Sequence, residues 1–223
     1  MRRYFALLSL TLVMVTVSVL WVREQAGRES AQSPASLQAA PDHEVHVREF
    51  ADDLAKAIVE GARYEVEKGV RYDASYRQIA FPMGDVPSDV GACTDVVIRA
   101  LRNAGYDLQE LVHKDMKANF NRYPQNWGLS APDPNIDHRR IPNLIAFFRR
   151  HGTEVQVSGD YDDYKPGDIV FWVFENGLDH CGIVSERTTP DGRPLVIHNA
   201  GLAREEDALF RWPIVAHFRY PPR

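Results

Sequence analysis

Residues 165–198 read KPGDIVFWVFENGLDHCGIVSERTTPDGRPLVIH. Three short runs rich in β-branched and aromatic residues lie inside this stretch: Asp168-Ile-Val-Phe-Trp-Val173, His180-Cys-Gly-Ile-Val-Ser185 and Pro194-Leu-Val-Ile-His198. Turn formers at Lys165-Pro-Gly, Glu175-Asn-Gly and Pro190-Asp-Gly separate them, so they read as strands joined by tight connections. A fourth run, Ala216-His-Phe-Arg-Tyr220, follows the turn signal Asn199-Ala-Gly. Upstream, the period changes. Cys93, Val96, Val97, Ala100, Leu101 and Ala104 share one helical face, and Gly105 supplies the stop. Val47, Phe50, Leu54, Ala57 and Ile58 predict an amphipathic helix over 44–67, and further helices are expected at 107–120 and 141–151. Residues 70–92 read as extended loop with short strands, and 121–140 as a long polar and aromatic loop of the kind that is functional or disordered. Helices first, then an antiparallel meander, predict the α+β class.

The chain ends of this reading set the compartment. Arg2 and Arg3 precede seventeen uncharged residues, 6–22, a pattern expected of a signal peptide or signal-anchor that leaves the rest of the chain exported. Cleavage chemistry after it is poor, because Leu20-Trp-Val22 are large, so a membrane tether through residues 6–22 is expected. Residues 23–42 are rich in Ala, Ser, Gln, Glu and Pro and read as a flexible linker, with the folded catalytic domain at 43–223. The expected location is the periplasm, either free or anchored at the inner membrane. A net charge of −5 with no basic stripe argues against a nucleic-acid partner.

Two residue types carry chemistry. Cys93 opens a helix, where the positive end of the macrodipole lowers a thiol pKa and backbone N–H groups can receive an oxyanion. His180 opens a strand. Alternation puts His180, Gly182 and Val184 on one face and Cys181 and Ile183 on the other. With His180 turned to the helix of Cys93, Cys181 points away. A Cys93–Cys181 disulfide and a His180 base then exclude each other. His198 ends the next strand, and a hairpin at Pro190-Asp-Gly brings positions 180 and 198 together. It is preferred over Asn199 as the group that orients His180.

These segments resemble the NlpC/P60 superfamily of papain-like cysteine peptidases, through Gly-Ala-Cys93-Thr-Asp-Val-Val, Pro-Gly-Asp168-Ile-Val-Phe-Trp, His180-Cys-Gly-Ile-Val-Ser and Val-Ile-His198-Asn. The match is closer to a family of bacterial proteins, DUF1287, through Asp-Pro-Asn-Ile-Asp-His-Arg-Arg at 133–140 and Ile-His-Asn-Ala-Gly at 197–201, and it covers about residues 48–220. The resemblance implies a papain-like core with Cys93 as nucleophile, His180 as base and His198 as third member. Thr94-Asp95 departs from the superfamily's Ser-Gly, and its Tyr-x-Gly-Gly has no counterpart before Cys93, where Phe81-Pro-Met-Gly lacks the hydroxyl.

Asp95, His138, Arg139, Arg140 and Asn199 are candidate substrate-binding residues; Arg139 or Arg140 would meet substrate carboxylates. The competing reading of His138 and its neighbours is a loop tied by local ion pairs. No short-range His or Cys pair supports a metal site, and no cofactor is expected. Asp168 is assigned to the strand start, Trp127, Trp172 and Trp212 to core or cleft wall, and Glu205-Glu206-Asp207 to a solvated turn. Taken together, the expectation is an exported cysteine hydrolase of amide bonds, with murein peptides suggested by fold analogy and compartment. An acyltransferase or thioesterase on the same scaffold, and a non-catalytic envelope binding protein with a structural disulfide, are the alternatives.

Overall fold

Helix α1, Asp53–Glu67, begins where the Asp52 carboxylate accepts the Ala55 backbone N–H at 2.7 Å, satisfying a donor that the first turn leaves without a partner. The periodicity predicted this helix from residue 44. Instead His46–Val47 form a short strand, β1, with Val47 exposed, and the apolar spacing of Val47 and Phe50 belongs to the approach. The computed structural model describes residues 45–222, within a compact unit that runs His43–Arg223. The expected leader (1–22) and linker (23–42) lie outside the described residues. Among those described, no helix is long and apolar enough to cross a membrane.

Three more helices follow: α2, Cys93–Asn103, α3, Leu108–Asn119, and α4, Ile141–His151. Asp107 caps α3 through the Gln109 N–H, and Pro142 sits in the first turn of α4, where its missing N–H costs nothing. Every residue of α2 from Cys93 to Leu101 is buried. The helix is wedged between α1 and the sheet, which is why it carries Thr94, Asp95 and Arg99 only as paired polar groups.

The remaining strands are β2, Arg71–Tyr72, β3, Val90–Gly91, β4, Thr153–Glu154, β5, Ile169–Val173, β6, Asp179–Thr188, β7, Pro194–Asn199, β8, Ala203–Glu206, and β9, Ile214–Arg219. The main sheet is antiparallel with order β4-β9-β5-β6-β7-β8, and β1 pairs with the far end of β6. Of the expected runs β5, β6 and β7 form the meander; β8, which the sequence did not mark, extends it at the edge, and β9 returns to the open edge of β5. β2 and β3 form a separate parallel pair just ahead of α2.

Both faces of the sheet are covered. Ile169, Phe171, Cys181, Ile183 and Ile197 pack with Val97, Leu101, Leu144 and Phe148 of the helices. On the other face Val170, Trp172, Val184 and Val196 pack with Tyr164, Ala208 and Leu209. Two-sided burial explains why the β-runs read as continuous apolar stretches. Each fully buried large side chain contributes about 1.5–3 kcal/mol. Asp168 at the head of β5 accepts the Lys165 N–H at 2.9 Å and the Arg219 Nε at 3.0 Å, and lies 2.7 Å from His217 Nε2. It locks the strand start to β9, as its place in Pro-Gly-Asp predicted.

Candidate active site

Cys93 is the first residue of α2 and only 4% exposed. Its helix start is held from inside. The Asp95 carboxylate accepts the Ala92 N–H at 2.6 Å, so the third helical residue reaches back to cap the backbone that leads into Cys93. Arg139 then clamps that carboxylate bidentately, Nε to Oδ1 at 2.9 Å and Nη2 to Oδ2 at 2.8 Å. The same guanidinium donates to the carbonyls of Ser75 and Asp73, and Thr94 Oγ1 donates to the Arg139 carbonyl. A residue from the long 121–140 loop thus fastens α2 to the segment after β2.

His180 is 1% exposed and sits on the Trp172 face of the sheet, opposite that residue in the β5–β6 register. Its ring lies among Phe174, Trp172 and Trp212, with centroid separations of 4.7, 5.8 and 5.7 Å. Its Nε2 is 2.8 Å from His198 Nδ1. Gly182 makes this meeting possible. A Cβ there would lie 2.7 Å from the Ile197 carbonyl, 3.0 Å from His198 Cβ and 3.3 Å from the Trp172 ring. The glycine therefore serves the packing of His198 and Trp172 beside His180, where the sequence suggested room for thiol and substrate.

The Cys93 thiol is held well below the ordinary thiol range. The first cause is hydrogen bonding from the Cys181 thiol; burial opposes it, and hydrogen bonding and charge from His180 lower it further. This corrects the expectation that Cys181 points away. Strand alternation holds, but it is Cys181 that faces α2, in the same apolar cluster as Cys93. Cys93 stands at the opening of β6, where it meets both Cys181 and His180. The supposed exclusion between a Cys93–Cys181 contact and a Cys93–His180 contact therefore fails. Burial, then the negative character of Cys93, push the Cys181 thiol up. The pair divides into one sulfur disposed to ionise and one that remains a donor. Both are free thiols.

His198 is displaced downward to about 4, by burial first and then by His180, so it is neutral near pH 7. Its Nε2 lies 3.0 Å from Glu206 Oε1. Glu206, expected in a solvated turn, belongs to β8, and Glu205 beside it binds Arg63 and accepts the Ser185 hydroxyl. The chain pairing that places them, Ile197 opposite Glu205 and Val196 opposite Glu206, leaves no hydrophobic alternation to read. Tyr72 also escaped the sequence reading. Its half-exposed phenol has its ionisation pushed up by burial, then by the charge of Cys93 and Cys181.

The other expected substrate contacts find different work. Asp95 and Arg139 are spent on each other, and His138 is buried with its pKa pulled to about 4 by desolvation. The Asn199 side chain donates to the Val70 and Gly91 carbonyls, tying β7 to the strands that deliver Cys93. Asp95, Arg139 and Asn199 are framework residues, their polar groups held by protein partners, while His138 is a buried neutral imidazole whose Nδ1 has no partner among the described residues. Arg140 alone is partly open, stacked 4.0 Å over the Trp127 ring and paired with Asp137. Among the described residues no group of three or more His, Cys, Asp and Glu is placed to hold a metal ion.

YijF of Escherichia coli (strain K12), described as an uncharacterized protein, is 53% identical over 165 residues, which is 74% of this chain and 80% of its own. The solved structure of NlpC1 from Trichomonas vaginalis overlaps 77% of this chain at 17% identity with a TM-score of 0.40; the matched region is 45% of that chain's length. The profile of DUF1287, a domain of unknown function, matches residues 59–220, and the chain belongs to that family.

Proposed function

We propose that the protein is a cysteine hydrolase that cleaves amide bonds, acting on murein peptides outside the cytoplasm. The observation that carries the proposal is the Cys93 thiol, buried at a helix N-terminus and held toward the thiolate by Cys181 and His180, with His198 2.8 Å from the far nitrogen of His180. A thiolate so placed attacks a carbonyl carbon while the proton on His180 passes to the leaving amine. Water, activated by the same imidazole, then releases the acyl group from sulfur. The Cys93 backbone N–H and the Tyr72 phenol supply donors for the oxyanion, standing in for the hydroxyl that the sequence lacked just before the nucleophile. Phe174, Trp172 and Trp212 keep water from the imidazole, which strengthens every charge interaction there.

The murein assignment rests on the uncharged run at 6–22 behind Arg2 and Arg3, which supports export and a tether at the inner membrane. Digestion of isolated murein by the purified protein, with products read by mass, tests the substrate. Release of peptide fragments by the wild type supports the reading. Cys93→Ala and His180→Ala should each lose about 10³-fold or more, and His198→Ala about 10–100-fold. A fully active Cys93→Ala protein sinks the mechanism, and recovery of the full-length chain in the cytosol sinks the compartment.

The contact of Cys93 with Cys181 favours one second reading, a binding protein closed by a disulfide between them. Thiol titration of the purified protein under denaturing conditions separates the two. Two free thiols in an active sample support the hydrolase, and none in a functional sample supports the binding protein.

A further inference from the structure

Glu206 ends β8 with Oε1 3.0 Å from His198 Nε2 and 2.8 Å from Arg211 Nη1. The other end of the Arg211 fork donates to the Asp207 carbonyl at 2.9 Å, so the carboxylate is itself fixed. A carboxylate only accepts hydrogen bonds. The hydrogen between Glu206 and His198 is therefore on His198 Nε2. Neutral His198 then carries its lone pair on Nδ1. His180 Nε2, 2.8 Å from that lone pair, must carry the next hydrogen. His180 Nδ1 is left as the acceptor, free to take the thiol proton of Cys93. One exposed-side carboxylate thus determines the direction of two buried imidazoles.

We propose that Glu206, braced by Arg211, is a positioning residue that sets the tautomers of His198 and His180 and stabilises the thiolate–imidazolium form of the Cys93–His180 pair. The inference rests on the Cys–His reading above. Ionisation moves one proton, from Cys93 Sγ to His180 Nδ1. The hydrogens on His180 Nε2 and His198 Nε2 stay where they are, and each leans toward its acceptor as positive charge appears on His180. A single-residue orienter needs none of this. A neutral imidazole without a fixed acceptor can present either nitrogen, and in the reversed tautomer His198 would offer N–H to a His180 nitrogen that must itself donate.

The groups facing the nucleophile are Cys181 and His180 from β6, Tyr72 from β2 and, within α2, Asp95 bound to Arg139. Those facing Glu206 are His198 and Arg211. The test is the pH dependence of iodoacetamide alkylation at Cys93, mapped by mass, in reduced wild-type, Glu206→Ala and Glu206→Gln proteins, together with ¹⁵N ring shifts of His198 in the wild type. Wild type should alkylate with a midpoint well below that of an ordinary thiol. Glu206→Ala should raise the midpoint by about one pH unit, equal to roughly tenfold slower alkylation on the acid side. Glu206→Gln, which keeps an acceptor oxygen without the charge, should fall between them. His198 should carry its proton on Nε2. A merely structural loosening would change the plateau rate and leave the midpoint in place. An unshifted midpoint in both variants, or a His198 protonated on Nδ1, overturns the role of Glu206. An ordinary-thiol midpoint in the wild type overturns instead the Cys–His reading on which it rests.

Discussion

Removing the guanidinium of Arg139 separates a framework residue from a substrate contact. Its side chain is 3% exposed, as is that of Asp95, and the pair is bidentate. Arg139→Ala takes away both charge-assisted bonds and the two bonds to the Ser75 and Asp73 carbonyls. Asp95 would be left as a buried carboxylate with only the Ala92 N–H as partner. Breaking a buried pair from one side costs about 3–5 kcal/mol, more than the pair contributes against an apolar replacement, because an uncompensated charge remains. In a domain of this size each kcal/mol is worth about 2–4 °C, so the melting temperature should fall by about 10 °C. Arg139→Lys keeps the charge but loses the fork, and should cost less than half as much. In an Asp95→Asn/Arg139→Met double variant no unpaired charge remains, so its loss should be smaller than the sum of the singles. Calorimetry on wild type, Arg139→Ala, Arg139→Lys, the two singles Asp95→Asn and Arg139→Met, and their double checks this. An Arg139→Ala protein that melts within 2 °C of wild type and is impaired only in substrate affinity would refute the framework assignment and restore the substrate contact.

Cys181→Ala should raise the Cys93 alkylation midpoint by about 1–2 pH units, since a hydrogen bond to a charged group contributes about 1.5–3 kcal/mol, while Cys181→Ser, which keeps a donor, should stay near wild type; equal midpoints in the two variants would remove Cys181 from the thiolate's stabilisation. Gly182→Ala drives a methyl into the Ile197 carbonyl and His198, so it should destabilise by about 1–3 kcal/mol and cut turnover further than the lost stability accounts for; a fully active variant would show that the His180–His198 contact tolerates displacement. His138 and His198 both have folded pKa values near 4, below the ordinary 6.5, with burial the first cause. The unfolded chain binds their protons first, so the stability they lend is complete above about pH 6.5 and drains away down to about pH 4, by about 3 kcal/mol each. His138→Leu should flatten that part of a melting-temperature-against-pH curve, and an unchanged slope would contradict its burial as the neutral form.

Where local chemistry decides an element, the sequence is a sufficient guide. α4 runs Ile141–His151 as its apolar spacing and Gly152 predict, and α2 begins at Cys93. α1 shows the limit of periodicity: a single Asp52 cap outweighs the apolar spacing of Val47 and Phe50. β8 is the reverse case. Ala203-Arg-Glu-Glu has almost no strand propensity and is extended because β7 supplies a partner, with its carboxylates held by Arg63, Arg211 and His198. Strand formation of this kind is set by pairing.

The same contrast runs through the site. The places of Cys93, His180 and His198 in the fold were legible because each lies at or next to an element end that its own neighbours mark. Their partners were not. Asp95 meets Arg139 across 44 residues, and Asn199 meets Gly91 across 108. Nothing near either residue in sequence marks those meetings. The charged run Asp137-His-Arg-Arg140 read as either a substrate grip or a solvated loop tied by local ion pairs, because charge in a loop usually lies in water. Here the loop folds back over the nucleophile helix, and its charges become the internal brace. Cys181 is the most instructive case. The alternation rule rightly put His180 and Cys181 on opposite faces, but the face turned to α2 is that of Cys181, and the rule describes a strand as if the helix start had to lie over one face. A helix N-terminus presented at the opening of a strand can touch consecutive residues from both faces. That geometry lets one sulfur draw on a thiol donor and an imidazole together, so the residue pair read from sequence as competing explanations forms a single environment for Cys93.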